Sequence, residues 1–185
     1  TFWKKFYPIA IQYFPQLEEF PLEKFMHFIH RTELSEIRVE ADEATYDLHI
    51  ILRFQIERML LKKEISVKDV PATWNELFKK SFGFIPKDDA HGCLQDVHWS
   101  FGGIGYFPTY TLGNINAAQL FQTAISDPKI KSANDNADYS PLLKWLHENI
   151  HRHGSIHDPV DLIKLATGRA PETRDYLKHL SARYL

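Results

Sequence analysis

Between about Glu40 and Lys63 the apolar residues Ala41, Tyr46, Leu48, Ile51, Leu52, Phe54, Ile56, Met59 and Leu60 recur at helical spacing. They fall on more than one side of the helix they predict. A helix that is apolar on several sides has to be covered on several sides. The run therefore predicts a long, central, buried helix, with the rest of the chain wrapped around it.

The remaining segments are punctuated as helices too. Phe2 to Phe14 places Phe2, Phe6, Ile9 and Tyr13 on one face and stops at Pro15. Pro21 opens a second helix to about Arg31. Ser66 or Asp69 can cap the next, through Trp74, Leu77 and Phe78 to Gly83. Asn114 or Asn116 can start a helix through Ile125, and Asp127-Pro128 ends it or begins a short one. Ser140-Pro141 and Asp158-Pro159 each read as a cap followed by proline at the first helical position. The first of these helices runs to about His151, the second to near Gly168, and a last one from Pro171 to about Tyr184. GIGYF, at 103–107, is the strongest hint of an extended piece. No repeat, low-complexity tract or linker divides the 185 residues, so the expected class is all-α, with residues 1–185 as a single helical domain.

The stretch from His91 to Gln119 is less ordinary. Five of the eight glycines lie between Gly92 and Gly113, among His91, Asp96, His98, Trp99, Tyr106 and Tyr110. Clustered glycines give up packing and backbone entropy, so they imply an irregular path or a backbone that something approaches closely. This predicts a glycine-rich loop over residues 91–113. It serves either as a site carrying polar and aromatic side chains, or as an ordered connection with its aromatics in the core.

Composition narrows the partners. The formal net charge is −2, without the basic excess of a dedicated nucleic-acid binder. No apolar run approaches the roughly 20 residues that span a bilayer, so no membrane partner is expected. The opening TFWKKFYPIA has charges where a signal peptide would be apolar, and it lacks a methionine. Cys93 is the only cysteine, which excludes an internal disulfide and fits a cytoplasmic setting.

Four motifs resemble one family. G-x-x-Q-D-x-H-W is met by Gly92, Gln95, Asp96, His98 and Trp99, and G-Y-F-P-T-Y-x-L-G-N by Gly105–Tyr110, Leu112, Gly113 and Asn114. I-R-x-x-A-D is met by Ile37, Arg38, Ala41 and Asp42, with Thr45 and Tyr46 following. Near the end, H-R-H-G-x-x-x-x-P-x-x-L is met by His151–Gly154, Pro159 and Leu162, with Ala166, Thr167 and Gly168 behind it. In this order the motifs resemble the thermostable zinc carboxypeptidases of the carboxypeptidase Taq family. The resemblance implies a largely helical, zincin-like fold with a groove that has zinc at its base, and homodimers are common among such enzymes. It also implies a peptide substrate with a free C-terminus.

The resemblance assigns roles that the chemistry supports. Arg38 is the candidate for the substrate's terminal carboxylate, because a guanidinium is a planar fork of donors. The competing reading is an ion pair with Asp42, four residues on. His98 and Tyr106 are the catalytic candidates, able to donate a hydrogen bond to an oxyanion. Tyr110 is a candidate for the substrate backbone. Asp96 either orients His98 or caps local backbone. Each of these four could instead be a buried polar residue satisfied within the loop. Trp99 and Phe107 read as core. His153 and Gly154 suit a turn as well as a substrate contact.

His147-Glu148-Asn149-Ile150-His151 spells H-E-x-x-H, a zinc motif when both histidines share a helix face, and Glu172 is a conceivable third ligand. This would make the chain a small independent zinc peptidase. Two features argue against it: the charged Arg152 after the second histidine, and the match of the segment to the family's later W-L-x-x-N-I-H-x-x-G region. The resemblance places the family's own H-E-x-x-H and its H-E-S/T-x-S segment upstream of this chain. The expectation is the C-terminal part of a metallocarboxypeptidase, inactive alone and binding no metal alone. The zinc, or another divalent metal, would be held by an N-terminal part absent here, whose loss should leave apolar surface exposed. The alternative is a non-enzymatic helical module derived from the family.

Overall fold

A computed structural model describes residues 2–185. Nine α-helices and five short 3-10 turns account for its regular structure, and no strand occurs among the described residues. The all-α expectation holds. The GIGYF segment is turn rather than strand.

The chain forms two compact units. One comprises Thr32–Gly113, and the other joins the N-terminal segment up to Arg31 with Asn114–Leu185. The boundary between Gly113 and Asn114 falls inside a helix, so no linker marks it in the sequence.

In the unit Thr32–Gly113 the long helix is α3, Tyr46–Leu61, shorter than the periodicity suggested. The Asp42 carboxylate takes the N–H groups of Ala44 and Thr45 at 2.9 and 3.0 Å, forming a local turn that delays the helix. Before it, Arg38–Glu40 is a 3-10 turn. Helix α4, Val70–Phe82, packs on α3. Ser66 and Asp69 form a reciprocal capping box ahead of α4, and Gly83 ends it at φ +84°. The shared core is Leu52, Ile56, Val70, Trp74, Phe78, Phe82 and Cys93.

The buried positions of α3 depart from the apolar reading. Alongside Ile50, Leu52 and Ile56 they include His49, Arg53 and Glu57, spaced at i, i+4 and i+8. One stripe of the helix is therefore both buried and polar, while Ile51 and Phe54 are exposed.

The second unit begins with α1, Phe2–Tyr13, and α2, Leu22–Ile29. The buried Tyr7 donates its hydroxyl to the carbonyls of Leu17 and Phe20, and Phe25 packs between Trp3 and Tyr7. Helix α5 is Pro108–Ala124, so it starts before Asn114, and the last six residues assigned to the glycine-rich loop are helical. Pro108 suits a first helical position because its missing N–H is one that no helix bond would use. Within α5, Gln119 is fully buried and donates to Thr167 Oγ1 at 2.8 Å and to the carbonyls of Arg169 and Ala170. Then follow α6 (Pro128–Asp135), α7 (Ser140–Asn149), α8 (Pro159–Thr167) and α9 (Arg174–Tyr184). The leucines of α7 are not fully covered: Leu142 and Leu146 are half-buried. Leu143 is 61 % exposed and no residue of α7 is fully buried.

Candidate functional site

The polar stripe of α3, the 3-10 turn carrying Arg38 and the loop carrying Asp96 converge within the unit Thr32–Gly113. Arg38 is 6 % exposed and Arg53 0 %. Both hold the same carboxylate. Arg38 uses a side-on fork: Nη2 donates to Asp96 Oδ1 at 2.7 Å, and Nε lies 3.1 and 3.3 Å from the two oxygens. Arg53 approaches Asp96 Oδ2 with Nε at 2.8 Å and Nη2 at 2.6 Å. Burial pushes the Asp96 carboxyl up, but the two guanidiniums outweigh it and hold its pKa below the ordinary range. Burial lowers Arg53 to about 10, opposed by Asp96, so Arg53 is charged at neutral pH.

Arg38 Nη1 donates to the Tyr46 hydroxyl at 2.7 Å. A guanidinium has five N–H donors. With Nε, one N–H of Nη1 and one of Nη2 engaged, each terminal nitrogen keeps a further N–H outside these bonds. The Arg38 guanidinium also lies over the rings of Tyr110 and Phe107, with centroid distances of 5.1 and 5.8 Å. Gln95 fixes the turn beneath. Its Oε1 accepts the Arg38 backbone N–H at 2.8 Å, and its Nε2 donates to the carbonyls of Glu36, His91 and Gly92.

His98 sits beside this cluster, nearly buried, with Nε2 hydrogen-bonded to the Tyr110 hydroxyl at 3.1 Å. Its ring lies 4.4 Å from Phe107 and 5.4 Å from Tyr106, centroid to centroid. Burial, with Tyr106 and Tyr46 nearby, raises the Tyr110 phenol above its ordinary pKa against the pull of Arg38. The loop returns tightly over His98. Gly103 N–H donates to the His98 carbonyl at 2.8 Å, and a Cβ on Gly103 would stand 3.0 Å from that oxygen. Gly102 turns the chain at φ +81°, a conformation that glycine adopts without strain.

The structure thus brings Arg38, Asp96, His98, Tyr106 and Tyr110 into one neighbourhood, with Tyr106 exposed at its edge. Arg38 pairs with Asp96 rather than with Asp42, whose other oxygen takes the Glu33 N–H at 2.7 Å. Asp96 does not orient His98. Its Oδ1 lies 3.9 Å from His98 Nδ1, too far for a hydrogen bond, because the arginines claim the carboxylate. Phe107 is core, as read from the sequence, and Trp99 packs on the core while donating to Glu57 Oε1 at 2.9 Å. His153 belongs to the other unit, in the 3-10 turn His151–His153 ahead of Gly154 (φ +55°), with its ring 5.4 Å from His157.

Sequence reasoning passed over Arg53, Gln95 and Tyr46 as site residues. Gln95 and Tyr46 stood inside the quoted motifs and were legible there. Arg53 lay in an apolar-looking helix, and its spacing from His49 and Glu57 was the one available signal.

The H-E-x-x-H segment does not form a metal site. Helix α7 ends at Asn149, and Ile150 at φ −125°, ψ −65° throws His151 into a 3-10 turn, so the two histidines do not share a helix face as expected. Glu172 is held by Arg169 and Arg174. No group of three or more histidines, cysteines and carboxylates placed to hold a metal occurs among the described residues. Nor is any helix among them long and apolar enough to cross a membrane.

The site is thus a set of helical and loop elements in which two buried arginines surround one carboxylate, with a tyrosine exposed at the edge. The chain belongs to the carboxypeptidase Taq (M32) metallopeptidase family, whose model matches residues 1–184. It is 41% identical over 185 residues to carboxypeptidase 1 of Bacillus subtilis (strain 168), covering 99% of this chain and 37% of that protein. It is 42% identical over 184 residues to thermostable carboxypeptidase 1 of Thermus thermophilus, covering 99% of this chain and 36% of that protein. The crystal structure of the M32 carboxypeptidase from Deinococcus radiodurans R1 superposes with a TM-score of 0.94 at 38% identity, covering 99% of this chain and 37% of that one. The chain therefore spans somewhat over a third of the length of these relatives.

Proposed function

We propose that the chain forms the substrate-carboxylate side of a zinc carboxypeptidase that removes C-terminal residues from peptides in the cytoplasm. The remaining length of such an enzyme would supply the metal. The observation that carries this reading is Arg38: a guanidinium fixed on one edge by Asp96 and Tyr46, with an N–H left on each terminal nitrogen. A second charged fork of this kind matches a terminal carboxylate. His98 and Tyr106 serve in this reading as donors of a hydrogen bond to the oxyanion that develops during hydrolysis, and Tyr110, hydrogen-bonded to His98, as a contact for the substrate backbone. Asp96 serves the substrate indirectly, by holding Arg38. His153, in the other unit, remains a proposed substrate contact. Metal chemistry is assigned to no residue of this chain. The exposed aromatic residues Phe2, Tyr13, Phe14, Phe20 and Phe28 suit burial against further chain or a second copy.

The test is hydrolysis by the complete protein of one peptide with a free C-terminus and of its C-terminal amide. Release of the last residue from the free acid alone, abolished by a chelator and restored by zinc, is the expected outcome. Equal cleavage of both peptides rejects the assignment of Arg38. Restoration by other divalent ions but not by zinc rejects zinc. An intact mass of the natural protein no greater than 21.6 kDa rejects the additional chain.

A further inference from the structure

Arg53 is absent from every motif that marks the site, yet it is 0 % exposed and sits on the same carboxylate as Arg38. Two buried cations share one anion. No other carboxylate among the described residues forms an ion pair with either guanidinium. His49 packs against Phe78 and Phe82, and burial together with the two arginines lowers its pKa to about 4, so it is neutral near pH 7. Tyr46 is a phenol that accepts from Arg38. Glu57, one turn further along α3, turns its Oε1 to Trp99. Aromatic faces enclose both cations: Arg53 lies 4.7 Å from the Trp74 centroid and 5.3 Å from that of Phe107, the ring it shares with Arg38.

A buried charge without a counter-ion is costly, and structures that only need stability pair such charges off. Here Arg38, whose terminal nitrogens each keep an N–H outside these bonds, shares its carboxylate with a second buried cation. Resting on the carboxypeptidase reading above, we propose that Arg53 is a positioning residue that draws Asp96 away from full neutralisation of Arg38, and so sets the preference of Arg38 for a ligand carboxylate over a neutral amide. Arg53 never touches the ligand. It acts through Asp96, whose Oδ2 it occupies while Oδ1 serves Arg38. Without Arg53, Asp96 would cancel Arg38 alone, and the pocket would hold a neutral ion pair with little bias towards an anion.

The experiment uses the complete protein and two non-hydrolysed probes, a free amino acid and its amide, and measures the ratio of the amide's dissociation constant to that of the free acid. The wild type should prefer the free acid. Arg53→Met should lower that ratio about tenfold or more, the scale on which one nearby charge shifts an ionic equilibrium. Arg53→Gln should act likewise. It leaves an N–H for Asp96, so it preserves the local shape if the Met variant does not fold. Arg53→Lys, which keeps the charge, should stay within about threefold of wild type on the same scale. A folded neutral variant with the wild-type ratio overturns the proposal, as does a Lys variant that falls as far as the neutral ones. A purely structural role would weaken both probes together and leave the ratio unchanged. A wild type without preference for the free acid instead rejects the carboxypeptidase reading of Arg38, and the two failures are therefore distinguishable.

Discussion

The side-chain carbonyl of Gln95 accepts the backbone N–H of Arg38 at 2.8 Å, across 57 residues of sequence. The bond ties the turn carrying the arginine to the loop carrying its carboxylate partner, since Asp96 is the next residue. The position of Arg38 thus depends on an amide 57 residues away in the sequence.

Gln95→Leu keeps the side-chain volume and removes all of these bonds. The backbone N–H of Arg38 and the carbonyls of Glu36 and His91 lose their partner. The expected cost is about 2–4 kcal/mol, taking roughly 1–3 kcal/mol for each unsatisfied group that stays buried. Urea midpoints of variant and wild type measure it, and a change below about 0.5 kcal/mol, the size of an ordinary surface substitution, would show the amide to be dispensable.

Arg38→Ala should lower kcat/KM of the complete protein for a free-acid peptide by the equivalent of about 2–4 kcal/mol, the loss expected on truncating one member of a buried charge pair. Steady-state kinetics on folded variant decide it. Unchanged kinetics would remove Arg38 from the site.

Tyr106 is 49 % exposed, so its hydroxyl contributes little to folding. Tyr106→Phe should keep the wild-type stability within about 0.5 kcal/mol. If the phenol donates to the oxyanion, kcat should fall by roughly 10²-fold. A large loss of stability with an unchanged rate per folded molecule would make Tyr106 a structural residue.

His49 is 0 % exposed, and burial first, then Arg53 and Arg38, lower its pKa from 6.5 to about 4. Between these values the unfolded chain binds a proton that the folded chain refuses. Stability from this group is therefore complete above the unfolded value and is lost as the pH falls towards 4. The loss between pH 7 and pH 5 should be about 2 kcal/mol. His49→Leu should flatten that part of the profile. Equal losses in variant and wild type, measured by urea titration at both pH values, would mean that His49 does not control it.

Much of the fold was legible because local chemistry writes it. Ser66 and Asp69 cap the 3-10 turn that leads into α4, Gly83 and Gly168 end helices in the left-handed conformation, and Pro128 and Pro159 open them, each for reasons contained within a few residues. The motifs also identified most of the side chains that meet at the site. Arg38, Asp96, His98, Tyr106 and Tyr110 could be named from the chain alone.

Their pairing could not. Asp96 lies 58 residues from Arg38 and 43 from Arg53, and nothing local distinguishes it from Asp42 as a partner for Arg38. The choice depends on which carboxylate still has free lone pairs after folding: Asp42 gives its own to the backbone N–H groups of Glu33, Ala44 and Thr45, and Asp96 keeps its own for guanidinium. The same holds for the other surprises. His147 and His151 have the spacing of a shared helix face, but the backbone turns at Ile150. His49, Arg53 and Glu57 have polar side chains that periodicity assigns to solvent, and they are buried because the aromatic residues of α4 and the loop cover that side of α3. Residue types and caps follow from the sequence, whereas the sharing of one anion between two cations is decided by desolvation, which exists only once the chain has packed.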